Sequence, residues 1–409
     1  MRTLFLSEMI PYPLDTAINQ RIYHLLKSVA SVSEVTLVCF LRNESERAYV
    51  EDLRPLCREI HCIPADRWGH RNVFKRPRPI IWAHALAGYL HPTLPVQLRW
   101  YKSEYAKCLV AELCSRSFDL IWAERPVCMK LLPSDTSARV IIDLADLEHR
   151  KLAYRLCRTG WYRLKPFDFL EYLKFRRLEK GLLKSSYEFA VCSAIDQAVL
   201  GEPKRVWVVP NGINLPRTQS QVPAEDRDPT FLFMGSMSYD PNVDGICYFA
   251  NRIFPLIRRQ LQNARLLIVG RDPVQAVRRL HNGESIFVTG GVQDMQPYLE
   301  QATATVVPLR FGGGTRIKIL EAMAHKRPVV STTIGAEGLD IEPNVDFLRC
   351  DDPQEFARAC VMLWRDPQLR TDLAGRAYRL VSNEYTWDRI SVTVQEIVAG
   401  CSVRASVPD

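Results

Sequence analysis

The sequence lacks a hydrophobic run long enough to cross a membrane. The best candidate, Ile80–Leu90, has 11 residues and is interrupted by His84, whereas a spanning helix needs about 20. The few apolar residues at the N-terminus are followed by Glu8, Pro11 and Pro13, which is not the pattern of a signal peptide. We therefore expect a cytoplasmic protein.

Cysteine pairs with metal-site spacing are also missing. The chain has 12 cysteines, none in a Cys-x-x-Cys pair, and most lie in apolar runs, as Cys39 and Cys192 do. This pattern predicts buried, reduced thiols rather than a zinc site or a disulfide framework. Glycine (19 residues) and proline (26 residues) show no period, which excludes a collagen-like chain. With 47% hydrophobic residues, the chain has enough apolar material for large cores, which excludes disorder.

Positive charge is concentrated in the first half of the chain. The whole sequence has 54 basic and 46 acidic residues. Residues 1–214 contain 32 basic and 23 acidic residues, whereas residues 215–409 contain 22 and 23. A basic half indicates an anionic partner, which could be a membrane, a nucleic acid or a phosphate-bearing substrate.

Strands and helices alternate along the chain. Short apolar runs predict strands at Thr3–Ser7, Val35–Phe40, Ile60–Pro64, Leu120–Ala123, Val140–Asp143, Phe189–Ser193, Val206–Val209, Phe231–Met234, Leu266–Val269, Ser285–Val288, Thr305–Val307 and Pro328–Ser331. Helical periodicity predicts helices at 18–29, 242–260, 273–281, 316–325, 353–366, 368–383 and 387–398. This alternation is typical of parallel sheets covered on both faces.

A proline-rich polar segment, Leu215–Pro229, divides the pattern into two halves. We therefore predict an α/β protein of two doubly wound, Rossmann-like domains, 1–213 and 214–383. The remaining segment, 384–409, is predicted to contain a helix that crosses back to the first domain. Because doubly wound sheets bind ligands at the carboxyl ends of their strands, a ligand is expected in a cleft between two facing domains.

The strongest local motif follows the predicted strand Thr305–Val307. Gly312, Gly313 and Gly314 allow backbone N–H groups to approach an anion, and Thr315 is a suitable N-cap for a helix from Arg316. Arg316 and Lys318 place positive charge in the first helical turn, where it opposes the helix dipole unless an anion binds. A diphosphate fits this pattern, and Glu321 could accept hydrogen bonds from ribose hydroxyls. The alternative is a glycine-rich turn with solvated basic residues.

Two weaker motifs precede it. Gly235 and Ser236 follow the predicted strand Phe231–Met234 and could donate to the same phosphates, although ordinary strand–helix turns look similar. Asn211-Gly212 is more typical of a tight turn that enters the linker than of a ligand contact.

In combination, these segments resemble a known enzyme family. The motifs PYP, VVPNGIN, FMGSMSYDPN, FGGGTRIKILEAMA and STTIGAEGL occur in the order found in the family-4 retaining glycosyltransferases, which have the GT-B fold. The resemblance covers essentially the whole chain and is most specific in the C-terminal half. The pattern is similar to the exopolysaccharide-associated sugar transferases of bacteria.

The resemblance implies roles for several residues in binding a nucleotide-sugar. Glu321 matches the second glutamate of the family's E-x7-E motif, which holds the ribose, and Arg316 and Lys318 match its diphosphate-binding basic residues. Gly290, Gly291 and Val292 match the loop that borders the base. The loop Asp15–Arg21, including Arg21, matches the glycine-rich loop that faces the donor phosphates.

The sequence departs from the family pattern at two places. Gly313 stands eight positions before Glu321, where the family has its first glutamate, and Ala17-Ile18 stands where members often have two glycines. Contacts to the donor sugar and the near phosphate therefore differ from the family pattern.

Catalytic carboxylates are predicted at strand ends in the first half. Asp143 and Glu124 could reach the acceptor or the donor sugar, with Asp143 preferred. Metal-dependent transferases of another fold use an Asp-x-Asp pair. Neither Asp143 and Asp146 nor the adjacent Asp351 and Asp352 have that spacing, so we expect no metal and no cofactor. Arg316 and Lys318 would then assist departure of the leaving group.

A basic stretch suggests a membrane surface as a partner. Residues 150–184 contain 11 basic and 3 acidic residues with interleaved aromatics such as Trp161 and Tyr162, and the basic segment Arg67–Arg78 leads into Ile80–Leu90. This composition fits an anionic lipid surface on the inner face of the cytoplasmic membrane. A core helix with a solvated face is the alternative. No nucleic-acid-binding signature is present, so no nucleic acid is expected.

These observations predict a metal-independent retaining hexosyltransferase of bacterial surface polysaccharide or glycan synthesis. It would move one sugar from a nucleotide-sugar donor to a saccharide or lipid-linked acceptor. The alternatives are a nucleotide-sugar epimerase of the same fold and an inactive, nucleotide-binding, membrane-associated module.

Overall fold

The computed structural model describes residues 1–64, 86, 88–99, 103–133, 136–158, 164–201, 204–216 and 228–400. The basic segment Arg67–Arg78, the residues Trp161 and Tyr162, and most of the predicted linker Leu215–Pro229 lie outside this part of the chain.

The chain divides into two compact units. The first comprises Met1–Pro210 and Ile390–Asp409, and the second comprises Asn211–Arg389. The helix Trp387–Val398 therefore begins in the second unit and ends in the first. Within the first unit, the Arg139 guanidinium donates a 2.6 Å hydrogen bond to the carbonyl of Ile397 in this helix.

The first unit is built on a seven-stranded sheet whose described strand pairs are all parallel. Its strands are β1 (Arg2–Ser7), β2 (Glu34–Phe40), β3 (Glu59–Ile63), β4 (Leu120–Glu124), β5 (Arg139–Ala145), β6 (Glu188–Val191) and β7 (Val206–Val208), in the spatial order β3-β2-β1-β4-β5-β6-β7. All five residues of β4 are buried, as expected when helices cover both faces of a parallel sheet.

Helices connect these strands. Those of the first unit are Ala17–Ala30, Val50–Leu53, Val96–Arg99, Glu104–Cys114, Arg125–Met129, Glu148–Arg158, Lys165–Leu182 and Ala194–Leu200, with 3-10 turns at Glu44–Tyr49 and Arg54–Leu56. The helix after β1 begins where Thr16 accepts a hydrogen bond from the N–H of Asn19 and buries Ile22, Leu25 and Leu26. The predicted helix 18–29 is therefore confirmed, as are the seven predicted strands of this unit.

The second unit repeats this architecture with a six-stranded parallel sheet. Its strands are β8 (Thr230–Met234), β9 (Arg265–Val269), β10 (Ile286–Gly290), β11 (Ala304–Val307), β12 (Val329–Ser331) and β13 (Leu348–Arg349), in the order β10-β9-β8-β11-β12-β13. The prediction of two doubly wound α/β domains is confirmed. The sequence analysis missed β13, because a two-residue strand carries no recognisable period.

The helices of the second unit match the predicted segments with some corrections. They are Asp240–Tyr248, Phe254–Arg258, Gln275–Arg278, Gln296–Gln301, Ile317–Ala324, Thr333–Ala336, Pro353–Arg365 and Pro367–Glu384. The predicted helix 242–260 is interrupted by a π-helical turn, Phe249–Ile253, because Pro255 lacks an N–H and disturbs the preceding turn. The predicted helix 273–281 shortens to Gln275–Arg278.

Each unit has its own hydrophobic core on its sheet. Among the described residues, no helix is both long and apolar enough to cross a membrane.

Candidate functional site

The two main motifs of the second unit meet at one edge of its sheet. The strand order reverses between the neighbours β8 and β11. In doubly wound sheets, ligands bind outside the carboxyl ends of the strands at this switch point. Gly235 follows β8, and the glycine loop Gly312–Gly314 follows β11 a few residues later. The fold therefore places both motifs where a ligand is expected.

Gly235 leaves space for two polar side chains. Its φ of 141° is in the region that favours glycine. A Cβ built on Gly235 would lie 2.8 Å from Nδ2 of Asn242 and 3.1 Å from Nζ of Lys318. Directly after the neighbouring strand β9, a Cβ on Gly270 would lie only 1.7 Å from the Gly235 carbonyl oxygen. The two glycines thus let the strand ends approach each other and admit the Lys318 amino group.

Lys318 is held in place by its neighbours. Its Nζ donates a 2.6 Å hydrogen bond to Oδ1 of Asn242 and lies 4.5 Å from the ring centroid of Phe233. The Asn242 amide in turn donates to the Ser236 carbonyl at 2.8 Å. Burial, together with the nearby charge of Arg316, lowers the pKa of Lys318 to about 7, although Glu321 acts in the opposite direction.

Glu321 lies three residues further along the same helix. Burial raises the pKa of Glu321 to about 7, against the opposing effect of Lys318. Both groups therefore titrate near neutral pH. A bound anion would favour the charged form of Lys318, and a bound hydroxyl donor would favour the charged form of Glu321.

Arg316 is buried and holds the glycine loop. Its guanidinium donates to the carbonyls of Gly313 and Ile334, the latter at 3.4 Å. A Cβ on Gly312 would lie 3.2 Å from Nη2 of Arg316, so the loop packs directly against this side chain. Gly314 also has a positive φ, of 82°. Contact between Arg316 and a diphosphate stays a prediction.

The predicted N-cap at Thr315 is wrong. The helix begins at Ile317, and Arg316 occupies the cap position without a side-chain hydrogen bond to the first turn. The Thr315 hydroxyl is buried and has no hydrogen-bond partner among the described residues. The guanidinium of Arg316 reaches back to Gly313, and the chain enters the helix one residue later than the sequence pattern suggests.

The position of the family's first glutamate is occupied by Gly313. The nearby Arg310 side chain pairs with Asp244, because its Nε donates to Oδ2 of Asp244 at 2.9 Å. The Arg310 guanidinium also lies 4.6 Å from the ring centroid of Tyr248.

Gly290 is the last residue of β10, the edge strand two positions from β8, and Gly291 and Val292 follow it. The N–H of Gly270 donates to the Gly290 carbonyl at 3.0 Å, which ties this loop to the site edge. Gly291 is exposed. The role of these residues beside a base stays a prediction.

The structure brings together three predicted residues of the first unit at the carboxyl ends of β4 and β5. Arg21 forms a buried, bidentate pair with Asp143, with Nε–Oδ2 and Nη2–Oδ1 distances of 2.7 and 2.8 Å. Both carboxylate oxygens are thus engaged. Burial, followed by the charge of Asp143, raises the pKa of Glu124 well above its usual range. Trp122 donates to Glu124 at 3.2 Å. Donor contact by Arg21 and catalysis by Asp143 and Glu124 stay predictions.

Sequence reasoning missed two contributors to the site. Asn242 and Phe233 belong to the quoted motif FMGSMSYDPN, but only the fold shows that both contact Lys318. It also overlooked one Asp-x-Asp spacing, at Asp226 and Asp228. Asp226 lies outside the described residues, and the Asp228 carboxylate pairs with Arg265 at 2.7 Å.

We expect Gly270→Ala to destabilise the second unit by about 1–3 kcal/mol, the usual range for overpacking. The added Cβ would overlap the Gly235 carbonyl oxygen, so backbone at the site must move. Gly375→Ala is the matched control, because it lies within a helix with only Arg379 Nη1 within 4 Å, at 3.8 Å. Urea titration of both variants measures the difference. Equal stability of Gly270→Ala and wild type would contradict this packing.

Comparisons with known proteins found related sequences and structures. Residues 228–366 match the sequence profile of the family described as "Glycosyl transferases group 1". A curated relative, the "Uncharacterized 44.6 kDa protein in cps region" of Klebsiella pneumoniae, is 21% identical over 229 residues. The alignment covers 54% of this chain and 58% of that relative, so the chain spans little more than half of the relative's length.

Solved structures resemble the chain over nearly all of its length. Sucrose-phosphate synthase from Thermosynechococcus elongatus has a TM-score of 0.70 at 16% identity, covering 98% of this chain and 99% of the other. WaaG, a glycosyltransferase involved in lipopolysaccharide biosynthesis, has a TM-score of 0.63 at 13% identity, and HepE of Anabaena in complex with UDP has 0.62 at 14%. Both of these matches cover 98% of this chain and 100% of the other. The fold is therefore GT-B, as predicted, and residues 228–366 are similar to the group 1 glycosyltransferases.

Proposed function

We propose that this chain is a retaining, metal-independent glycosyltransferase that moves one hexose from a nucleotide-sugar to a saccharide or lipid-linked acceptor. The match of residues 228–366 to the group 1 glycosyltransferases supports transferase chemistry. The relative in a cps region and the likeness to WaaG support a role in bacterial surface polysaccharide synthesis. The likeness to a structure that contains UDP supports a nucleotide as part of the donor.

The observation that carries the proposal is the Lys318 amino group at the end of β8. Asn242 and Gly235 place this amine at the switch point of the sheet, beside the glycine loop. A nucleoside diphosphate leaving group develops negative charge as its bond to the sugar breaks. A protonated Lys318 at this edge would stabilise that charge without a metal ion, because a fixed cation in a partly buried site acts strongly.

Glu321 would hold the ribose of the same donor. Its carboxylate lies on the helix that carries Lys318, and it accepts hydrogen bonds best when charged. In the transfer, the bond between the anomeric carbon and the diphosphate oxygen breaks, and a bond to the acceptor oxygen forms on the same face. The acceptor proton passes to the leaving phosphate, so no side-chain base is required.

The test is nucleotide binding by wild type and Glu321→Gln, measured by calorimetry with UDP, GDP and dTDP. We expect one nucleotide to bind, and the variant to bind it about tenfold more weakly, because it loses a charge-assisted hydrogen bond. Glu284→Gln is the matched control, because Glu284 is an exposed glutamate of the same unit. Equal affinity of Glu321→Gln and wild type would exclude Glu321 from the site.

Product analysis separates the proposed activity from its alternatives. A transferase consumes the nucleotide-sugar only when an acceptor is supplied, and the product keeps the anomeric configuration of the donor. An epimerase converts the donor without an acceptor. A binding module retains nucleotide affinity but releases no nucleoside diphosphate, and either of these results would overturn the proposal.

A further inference from the structure

The helix Lys165–Leu182 exposes large apolar side chains. Phe169, Leu170 and Leu173 are 51, 37 and 43% exposed, and they share one face at helical spacing. Leu164, just before the helix, is also exposed. Helices of soluble proteins normally turn such residues towards the core.

The opposite face of this helix buries charge. Asp168, Glu171, Lys174 and Glu179 are all less than a tenth exposed, and they lie among the apolar residues of the buried side. Burying charged groups is unfavourable unless they are paired. The helix is therefore oriented opposite to the usual amphipathic arrangement for much of its length.

Specific contacts maintain this orientation. Nζ of Lys174 donates to Oε1 of Glu171 at 2.7 Å and to the carbonyl of Tyr89 at 2.7 Å. The other carboxylate oxygen of Glu171 accepts from the N–H of Val96 at 2.8 Å. Glu179 accepts from the N–H of Glu148 at 2.9 Å. These bonds tie the polar face to neighbouring backbone and leave the apolar face outside.

The exposed face continues with positive charge only. Arg176, Arg177 and Lys180 are exposed beyond Leu173, and Lys184 follows just after the helix. All three acidic residues of the helix are on the buried side. The solvent-facing side thus consists of an apolar end and a cationic end, with no acidic side chain among its exposed residues.

We propose that this face, from Leu164 to Lys184, is a docking surface for an anionic lipid bilayer. Phe169, Leu170 and Leu173 would enter the boundary between headgroups and acyl chains, and the basic end would contact lipid phosphates. At about 1.5 Å per residue, the helix can lie along the surface over more than 25 Å. A second copy of the chain fits less well, because parallel pairing of this face would bring like charges together and antiparallel pairing of the whole face would place the cationic end against the apolar end.

Vesicle flotation of the full chain tests this surface. The vesicles contain either phosphatidylcholine alone or phosphatidylcholine and phosphatidylglycerol in a two-to-one mixture. We expect binding to the anionic vesicles only, weakened by salt because of charge screening. Arg176→Gln with Arg177→Gln should reduce the partition coefficient by about 30-fold, since each such charge contributes about 1 kcal/mol.

An apolar double variant and two matched controls complete the test. Phe169→Ser with Leu173→Ser should reduce partitioning by at least about tenfold through lost apolar burial. Ile195→Ser with Val199→Ser removes equally exposed apolar residues from another helix of the same unit, and Lys107→Gln with Arg47→Gln removes two exposed charges. Both controls should bind like wild type.

Three results would overturn the proposal. The first is no binding of wild type to anionic vesicles, whether or not the chain self-associates in light scattering. The second is unchanged binding by both helix variants, and the third is equal losses in the controls. None of these measurements depends on glycosyl transfer, so they are independent of the proposed function.

Discussion

Replacing Arg21 with methionine should lower the free energy of unfolding of the first unit by about 3–5 kcal/mol, because the change leaves a buried carboxylate without its cation. Asp143 has no exposed surface, and both of its oxygens accept from Arg21. A third nitrogen of Arg21 donates to the carbonyl of Val209 at 2.9 Å, so this acceptor also loses its donor. Burial by itself would lower the pKa of Arg21, but the charge of Asp143 and its hydrogen bonds, together with the nearby Cys192 and Glu124, raise this pKa.

A second variant separates the loss of a contact from the exposure of an unpaired charge. Arg21→Met with Asp143→Leu removes both ionic groups, and we expect it to recover most of the lost stability. Replacing a whole buried ion pair by apolar residues is often neutral or stabilising. The same double variant tests whether this pair also acts in the reaction, since stable protein that has lost transfer activity would show that Arg21 and Asp143 together are needed for more than folding.

An exposed ion pair in the same unit is the matched control. Arg54 pairs with Glu51 at 2.7 Å, and both side chains are mostly in solvent. Arg54→Met should change the unfolding free energy by less than about 1 kcal/mol. Urea denaturation, followed by circular dichroism and by hydrogen exchange in β5, measures the unfolding free energy of Arg21→Met, of the double variant and of Arg54→Met. If the unfolding free energy of Arg21→Met is within about 1 kcal/mol of wild type, the predicted cost of the unpaired carboxylate is wrong.

Nucleoside diphosphate affinity should fall as the pH rises above about 7, by about tenfold for each pH unit. The pKa of Lys318 is lowered to about 7 in the free protein, so the amine is largely neutral above this value. A bound diphosphate favours the ammonium and raises its pKa. Below pH 7 the proton is already present, whereas above it binding must take up a proton from solvent, which weakens the apparent affinity.

Lys318→Arg is the informative variant for this pH dependence. Arginine keeps its charge over this range, so the variant should show a nearly constant affinity on the alkaline side. Glu321 should have the opposite effect and weaken nucleotide affinity as the pH falls below about 7. Its pKa is raised to about 7, and below this value the protonated carboxyl accepts hydrogen bonds from ribose less well. Glu321→Gln should therefore flatten the acid side.

Calorimetry in buffers of different ionisation enthalpy measures both the affinity and the proton uptake. Wild type should take up a proton near pH 8, and Lys318→Arg should take up none at this site. If Lys318→Arg retains the full alkaline decline, another group carries the dependence and the placement of Lys318 at the diphosphate is wrong.

Much of the architecture could be read from local patterns. A strand buried on both faces is a short apolar run, so β4 and β8 are visible as Leu120–Ala123 and Phe231–Met234. The glycines at 312–314 likewise mark a loop at the end of a strand. Such features depend on residues close together in the chain, and composition and spacing record them directly.

Other features depend on residues that are distant in sequence. Arg21 and Asp143 are 122 positions apart, and Lys318 and Asn242 are 76 apart. No periodicity links such positions, so the sequence analysis assigned Arg21 to donor phosphates and Asp143 to catalysis without their mutual contact. The helix start at Ile317 was also misjudged, because the Arg316 side chain returns to the loop only in the folded chain.

The basic stretch shows the same division. By itself, the sequence determined that two parallel α/β units form and that a glycine loop with basic residues follows a strand of the second unit. It also determined that residues 150–184 are cationic. All three features are properties of residues that are neighbours in the chain. Only the tertiary structure decided which face of Lys165–Leu182 is exposed and which amine reaches Gly235, because these outcomes depend on contacts between distant segments that bury some charges and leave apolar groups outside.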